Sequence, residues 1–394
     1  MGLVLPLRGM GALAVQIPDL IFLFAFPFVL WHYREKLFAV GPFVWIGGLY
    51  VGANLLSAVL SGSTSALLES LARGYLLLLG FWMAAWVREG ASTDLWSRID
   101  TLIRWVGLVW AGISLLLFFT HLIWGHGWGV REYSAYPYFG DVVRLNGGTM
   151  TSNLFLWAMG PAFFLWVEAR LAGKKGGNLV FLVGLALLLT LSKAFLLYLA
   201  YVLLRLIETY VPSLRIGFSR AIVIAAALVL YGGTHMVWQQ PGPERSGSSA
   251  VLVDESFISG SHGDLYLTSY SALKMANVHL FKAHPWFGVG PGQSQNYLPS
   301  LKNQGKYPAH LGNYEPHSTL VGAASETGIF GLLSLLLLMG YSVYTFLPLA
   351  SSSDPTPRAL VYFLLFLLLT SVQQDVMNFR FLWVIWGMML AVSR

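Results

Sequence analysis

The chain has 394 residues, of which 56% are hydrophobic and only 11% are charged, with a formal net charge of +6. A soluble domain carries about 25% charged residues, so this composition excludes an ordinary soluble protein. Cysteine is absent, which excludes disulfides, thiolate metal sites and cysteine nucleophiles. The basic balance does not indicate nucleic-acid binding, because the charges lie in short segments between apolar runs.

The apolar residues recur in stretches of about 20, the length that a helix needs to cross a ~30 Å hydrocarbon core. The alternating pattern that is typical of membrane β-barrels is absent from the sequence. We therefore predict an all-α polytopic membrane protein that forms a single membrane domain over residues 1–394. About eleven transmembrane helices are predicted, at residues 11–31, 37–60, 66–87, 102–124, 151–167, 178–191, 192–207, 219–238, 318–347, 359–373 and 376–392.

The sixth and seventh spans lie in one apolar run, residues 178–208, which is interrupted by the polar segment Thr190-Leu191-Ser192-Lys193. As a single helix this run would be about 46 Å long, which exceeds the thickness of a bilayer core. The sequence therefore predicts a tight turn at Ser192 and Lys193.

The distribution of lysine and arginine predicts the orientation. Thirteen of these residues lie in one set of connecting segments and five in the opposite set, which assigns the first set to the cytoplasm. The C-terminus is then cytoplasmic and the N-terminus external, unless residues 3–15 form a twelfth span. Two long segments, 125–150 and 239–316, become periplasmic loops, and the second contains a helix-like pattern over residues 269–282. A long ordered loop is usually functional.

One histidine lies where this large loop meets the next span. His317 precedes Ser318, and Glu326 follows one or two helical turns later. A histidine with a pKa near 6.5 is suited to general-base chemistry. The structural alternative is a helix-capping segment with Ser318 as the N-cap, and the local sequence leaves both open.

Several cations also fall on the predicted outer side. Arginine forks and lysine point charges bind phosphate groups, so such a set favours an anionic lipid headgroup such as a diphosphate. The ordinary alternative is anchoring at the membrane interface. The cations are Arg144, Lys193 and Arg380 at the ends of spans, with Arg245 and Lys282 in the large loop.

Two other charged sets have simpler interpretations. Arg73 and Glu69 are spaced i, i+4 on a predicted helix, which indicates a structural ion pair. No aspartate cluster of the DxD kind occurs on the outer side, so we predict no metal. A metal site built from Asp375, Glu315 and His310 is the weaker alternative.

Four motifs occur in order from Arg144 onward. Residues 284–292 read HPWFGVGPG, and residues 316–320 read PHSTL, followed by SETGIFGLL at 325–333. The upstream segments are Arg144-Leu145-Asn146-Gly147, with Asn153 after it, and Thr190-Leu191-Ser192-Lys193-Ala194. Together they resemble the "Rl-x-G…N", "tlSRga", "hP-x-x-GvGpG" and "pHs-x-l…aEtGi-x-Gll" motifs of the O-antigen ligase and Wzy polymerase superfamily.

The resemblance implies a GT-C-like membrane glycosyltransferase of the bacterial inner membrane. Such an enzyme moves a glycan from undecaprenyl diphosphate to an acceptor on the periplasmic face, without metal or other cofactor and with inversion at the anomeric carbon. His317 would be the base, oriented by Glu326 or Glu315. The turn at Gly288, Gly290 and Gly292 would approach the glycan, although a plain tight turn explains these glycines equally well.

The cations complete the implied site. Arg144, Lys193, Arg245, Lys282 and Arg380 would bind the diphosphate and glycan. The sequence departs from the family motifs at two positions. At the first, Lys193 replaces the usual arginine, so that the charge is kept but the bidentate geometry is lost. An arginine expected one helix ahead of residue 284 is missing, and Arg245, Lys274 or Lys282 would replace it.

The expected partners are the lipid-linked glycan, an acceptor and membrane lipids, with no nucleic acid. The compact length favours a ligase that uses lipid A–core as acceptor over a polymerase that uses a second lipid-linked glycan. A protein O-oligosaccharyltransferase is a further alternative. A transporter would show charged or broken helices near mid-membrane in repeated halves, and a non-catalytic scaffold would not need His317 with converging cations.

Overall fold

A computed structural model describes residues 4–5, 15–16, 24, 27–28, 31–32, 34, 41–90, 93–125, 127–136, 140–211, 225, 236–239, 252–260 and 263–393. The longer helices of these ranges are α1 (Pro42–Ser61), α2 (Thr64–Glu89), α3 (Thr93–Trp124), α4 (Ser152–Leu171), α5 (Val180–Leu188), α6 (Phe195–Tyr210), α7 (Ser269–Ala283), α8 (Ser294–Asn303), α9 (Thr319–Phe346), α10 (Pro355–Thr370) and α11 (Arg380–Val392). Short 3₁₀ helices cover Gly177–Leu179 and Leu347–Ser351.

Five stretches of the described chain are long and apolar enough to cross a bilayer: Pro42–Ser61, Thr64–Glu89, Leu95–Trp124, Ser152–Leu171 and Thr319–Ser351. Shorter apolar helices cover Gly177–Leu188, Pro355–Thr370 and Arg380–Val392. The prediction of a mainly α-helical membrane protein is thereby confirmed, whereas the number of eleven or twelve spans stays a prediction. The predicted spans at 11–31 and 219–238 lie almost wholly outside the described residues.

Several predicted boundaries need correction. Helix α3, which contains the fourth predicted span, starts at Thr93, nine residues before the predicted start, and its apolar stretch starts at Leu95. Helix α11 begins four residues after the predicted start of the last span, so that Arg380 is its first residue. The predicted turn at Ser192 and Lys193 is confirmed, since α5 ends at Leu188 and α6 begins at Phe195. The helix predicted at 269–282 is confirmed as α7.

Short strands lie in the segments between the helices, where the sequence interpretation had none. A hairpin pairs β3 (Val130–Tyr136) with β4 (Gly140–Leu145). An antiparallel sheet contains β5 (Met236–Gln239), β6 (Leu252–Gly260) and β7 (Gly263–Thr268), in the spatial order β5-β7-β6. A pair of two-residue strands, β1 (Val4–Leu5) and β2 (Val15–Gln16), lies near the N-terminus. The end of the predicted span at 219–238 therefore belongs to a strand.

The chain divides into two compact units. The first contains Met1–Ala91, Leu273–Pro348 and Ser371–Arg394, and the second contains Ser92–Ala272 and Leu349–Thr370. The expectation of a single membrane domain stays a prediction.

In the first unit, α2 packs against α11 and α9 packs against α1. The crossing of α2 and α11 is close, because a Cβ built at Gly387 would lie 2.1 Å from the carbonyl oxygen of Gly80. Small residues allow such close approach of membrane helices. The ring of Trp386 packs edge-on to Phe43 nearby, with 5.0 Å between centroids.

In the second unit, α4 is the central helix and packs against α3, α5, α6 and α10. Phe164 of α4 stacks on Tyr201 of α6, with 3.9 Å between ring centroids. The outer face of α3 carries large apolar side chains in contact with solvent, among them Leu102, which is 64% exposed. In a membrane this face would contact lipid, whereas α4 is buried by its neighbours.

Local signals explain where several helices begin. The Ser63 hydroxyl accepts from the Ala66 backbone N–H at the start of α2. Thr151 does the same for Leu154 at the start of α4, and Ser318 for Val321 at the start of α9. Each side chain satisfies a donor that the first helical turn leaves without a partner.

Candidate functional site

The first turn of α9 is fixed to the segment between α10 and α11. The Thr319 backbone N–H donates to the Ser371 carbonyl at 2.8 Å. The Thr319 hydroxyl lies 3.1 Å from Asp375 Oδ1 and accepts from the Val376 N–H at 2.9 Å. His317 therefore stands next to a helix start that is both capped by Ser318 and held from outside.

His317 is half-buried in this position. Its ring lies 6.5 Å from that of Tyr314, centroid to centroid. Burial, followed by the positive charge of Lys274 on α7, holds the pKa of His317 below its ordinary value. A lowered pKa keeps the imidazole neutral at physiological pH, and a neutral imidazole can accept a proton.

Lys274 is the cation that the structure associates with His317. Burial lowers the pKa of Lys274. It is one of the three residues that could replace the missing arginine. Of the other two, Lys282 is exposed near the end of α7, and Arg245 lies outside the described residues.

Helix α9 is interrupted below His317. Gly328 has φ 65° and ψ −162°, a conformation that only glycine adopts readily. The Ile329 N–H, released by this break, donates to the Pro285 carbonyl at 2.8 Å. Residues 319–327 are thus a short helical segment whose direction is not dictated by the membrane helix that follows.

The glycine-rich turn packs directly on this break. Val289 and Gly290 donate their backbone N–H groups to the carbonyls of Ser325 and Glu326, at 3.0 and 2.9 Å. Gly288 has φ 67°, and a Cβ there would lie 2.2 Å from the carbonyl carbon of Glu326. The contacts of this turn are therefore with α9 of the same unit, and its predicted approach to a glycan stays a prediction.

The Glu326 carboxylate is buried and joins three segments. Ser294 Oγ of α8 lies 3.1 Å from its Oε1, and the Gly292 backbone N–H donates to the carboxylate. Arg73 of α2 donates to its Oε2 at 2.9 Å. These partners are those of an anchoring residue, and the predicted orientation of His317 by Glu326 stays a prediction.

Arg73 has more partners than the i, i+4 pair that the sequence predicted. Its ion pair with Glu69 is present at 3.5 Å, as the i, i+4 spacing predicts. The same guanidinium also bonds Glu326 and donates to Asn54 Oδ1 of α1 at 2.7 Å. The available signal was a charge within each of two apolar spans, since opposite charges in a membrane pair with one another.

Two other predicted cations come together in the second unit. Arg144, at the end of β4, is buried and donates through Nε to the Thr190 carbonyl at 2.7 Å. Lys193 is exposed on the turn that follows Thr190, yet partial desolvation, followed by the positive charge of Arg144, lowers its pKa. The field at Lys193 is therefore positive, which favours an anion.

Asn153 connects the two motifs that carry these cations. Its Oδ1 accepts from Ser192 Oγ at 2.8 Å and lies 3.4 Å from an Arg144 guanidinium nitrogen. Leu191, which lies between Thr190 and Ser192, has φ 46°, a left-handed conformation that costs a leucine roughly 1–2 kcal/mol. This strain is concentrated at the turn that presents Lys193.

The remaining predictions are only partly located. Arg380 is half-buried at the start of α11 in the first unit. Among the described residues, no group of three or more His, Asp or Glu side chains is arranged to hold a metal ion. Asp375, Glu315 and His310 do not form such a group, and the absence of a metal from the reaction stays a prediction.

Residues 178–336 match the family model described as O-antigen ligase, Wzy_C. These residues are similar to the O-antigen ligase family. The resemblance inferred from the motifs is thereby confirmed over about two fifths of the chain. A search of curated proteins found no match.

The part that matches the O-antigen ligase family includes Lys193, Lys274, the glycine-rich turn, His317 and Glu326. Arg73, Arg144 and Arg380 lie outside it. The family supports a membrane glycosyltransferase-like role of the ligase or polymerase kind, with lipid-linked glycan substrates.

Proposed function

We propose that the chain transfers a glycan from undecaprenyl diphosphate to an acceptor hydroxyl on the periplasmic face of the inner membrane, with lipid A–core as acceptor. The observation that carries the proposal is His317, a half-buried histidine within the residues that match the O-antigen ligase model. Burial and the positive charge of Lys274 lower the pKa of this histidine. The diphosphate is already a good leaving group. The reaction therefore needs a base for the acceptor hydroxyl and cations for the departing charge.

In the proposed step, neutral His317 takes the proton of the acceptor hydroxyl. The oxygen attacks the anomeric carbon, the bond from that carbon to the diphosphate oxygen breaks, and the diphosphate leaves with the electron pair. Direct attack inverts the anomeric centre. The chain's own groups carry both roles, so no metal is required.

Arg144 and Lys193 are assigned to the diphosphate, because they place two positive charges close together in the second unit. Charge-assisted hydrogen bonds to phosphate oxygens are about twice as strong as neutral ones. Arg245, Lys282 and Arg380 remain further candidates.

The test uses purified protein in nanodiscs with undecaprenyl-diphosphate glycan and a chelator. One arm adds lipid A–core, and the other adds only more lipid-linked glycan. Transfer in the first arm alone identifies a ligase, and transfer in the second alone identifies a polymerase. His317→Ala should slow transfer by about 10²- to 10⁴-fold, the usual contribution of a general base.

His310→Ala is the matched control, since His310 is an exposed histidine of the same loop. It should transfer glycan at the wild-type rate. A folded His317→Ala protein as active as wild type would refute the assignment of the base. A wild-type protein inactive in both arms would refute the proposed pair of acceptors.

A further inference from the structure

The segment that carries His317, defined as residues 317–327, is separated from the rest of α9 by the break at Gly328. A continuous helix would pass the orientation of its membrane-spanning part to its first turns. Here residues 319–327 must be oriented by their side-chain and backbone contacts. The contacts at the upper end are those of Thr319 with Ser371, Gln374 and Asp375.

The contacts at the lower end converge on Glu326. Its carbonyl oxygen accepts from Gly290 N–H and, at 2.8 Å, from Ser57 Oγ. Its carboxylate bonds Ser294, Gly292 and Arg73. A buried carboxylate at this point is tolerated because a cation and hydrogen bonds compensate its charge.

Arg73 is the cation in that arrangement. Its side chain is 12% exposed and that of Glu326 is 5% exposed, so water screens the pair little. Its guanidinium contacts α1 through Asn54, α9 through Glu326 and its own helix through Glu69. One side chain therefore ties two membrane helices to the segment that carries His317.

We propose that Arg73 is a positioning residue for glycan transfer, which acts by clamping Glu326 and thereby fixing the glycine-rich turn and the first two turns of α9. This inference rests on the proposed function, because it requires His317 to be the group that is positioned. A displacement of about 1 Å at a catalytic group can cost about 100-fold in rate. The expected signature is a lower kcat with an unchanged KM for the donor.

The experiment compares Arg73→Met, Arg73→Lys and the double variant Arg73→Met/Glu326→Gln in nanodiscs. Arg73→Met leaves the Glu326 charge buried without its cation and should lower kcat by about 100-fold. Glu326→Gln removes that charge while keeping an acceptor for Ser294 and Gly292, so the double variant should be more active than Arg73→Met. Arg73→Lys keeps the charge and should recover part of the rate.

A second measurement does not depend on catalysis. Hydrogen–deuterium exchange of residues 285–292 and 319–329 should increase in Arg73→Met, because these backbone bonds lose their clamp. Arg88→Met is the matched control: this arginine lies on the same helix and donates to the Leu390 carbonyl of α11. It should leave exchange in both peptides and kcat per folded molecule unchanged.

The outcomes separate the two ideas. Increased exchange and reduced kcat in Arg73→Met, with recovery in the double variant, support the clamp and its role. If exchange increases in Arg73→Met but the wild-type protein transfers no glycan, the clamp is supported and the proposed function is refuted. Unchanged exchange overturns the inference whatever the activity, and so does a loss of folded protein with normal kcat in the molecules that remain.

Discussion

The backbone N–H of Val289 donates to the carbonyl of Ser325 at 3.0 Å, and this bond joins the glycine-rich turn to α9 just before the helix breaks. Gly290 and Ile329 add two further backbone bonds on either side of the break. Two motifs that are separated by more than thirty residues in the sequence thus form one structural element, which depends on Gly328.

Gly328→Ala should destabilise the protein and reduce transfer. A Cβ at this position would lie 2.2 Å from the Trp286 carbonyl oxygen, and a non-glycine residue at φ 65° and ψ −162° costs about 1–3 kcal/mol by itself. The measurement is the thermal midpoint in detergent. Gly340→Ala is the control on the same helix, since nothing lies within 4 Å of a Cβ there; equal midpoints for the two variants would contradict the expectation.

The rate of transfer should depend on pH through His317. The base must be neutral, so log kcat should fall as the pH drops through the pKa of His317, which lies below the ordinary value. Lys274→Met removes one of the two causes that lower this pKa. The pKa should rise, and the acid limb should move to higher pH.

The measurement is the pH at the midpoint of the acid limb of kcat, between pH 5 and 8. This midpoint does not depend on the maximal rate of each variant. Lys282→Met is suited as the control, because Lys282 is an exposed lysine of the same helix. An acid limb that shifts equally in both variants, or in neither, would argue against the coupling of Lys274 and His317.

Donor affinity should depend on the charge at residue 193. Lys193→Met should raise the KM for the lipid-linked donor by about 10- to 100-fold, since a hydrogen bond to a charged group contributes about 1.5–3 kcal/mol. Lys193→Arg should bind at least as well as wild type, because it restores the fork that matches phosphate geometry.

Initial rates against donor concentration in nanodiscs provide this comparison. Lys175→Met, at an exposed lysine of the connection after α4, is the charge-matched control. If Lys193→Met and Lys175→Met had the same KM, the assignment of Lys193 to the diphosphate would be refuted.

A buried ion network in the second unit should control stability rather than chemistry. Glu168 of α4 accepts from Arg205 of α6 and Arg358 of α10, and from the Tyr201 hydroxyl at 2.8 Å. Glu168→Ala removes the acceptor that the two arginines share, leaving Arg205 with Glu208 and Arg358 with the Ser352 carbonyl, and should cost about 3–5 kcal/mol. The exposed Glu132, which pairs with His121, is the contrast: Glu132→Ala should cost about 0–1 kcal/mol. Chemical unfolding in detergent measures both.

The sequence predicted those parts of the fold that depend on local pattern. Apolar length predicted the helices, the polar interruption at Ser192 and Lys193 predicted the turn, and an N-cap at Ser318 was one of the two interpretations left open. The strands in the long loops escaped prediction because their residues show neither a strong alternation nor the apolar length that identifies a span.

Long-range pairing was the larger omission in the site. The i, i+4 spacing of Glu69 and Arg73 seemed to satisfy both charges locally, so their relation to Glu326 was not considered. A charge buried among helices collects every compatible partner that packing brings within reach, and packing is a property of the whole fold. Arg144 and Lys193 were easier to associate, because their motifs resemble adjacent pieces of one family pattern.

The backbone pairing of the glycine-rich turn with α9 limits how these sequences can change in length. A side-chain contact can survive a small shift by adopting another rotamer, whereas a series of main-chain bonds requires each residue in its place. One residue inserted into 285–290 or 325–329 would put every later donor opposite the wrong carbonyl. Related sequences should therefore align through these two blocks without gaps, and insertions should collect in the stretch between them.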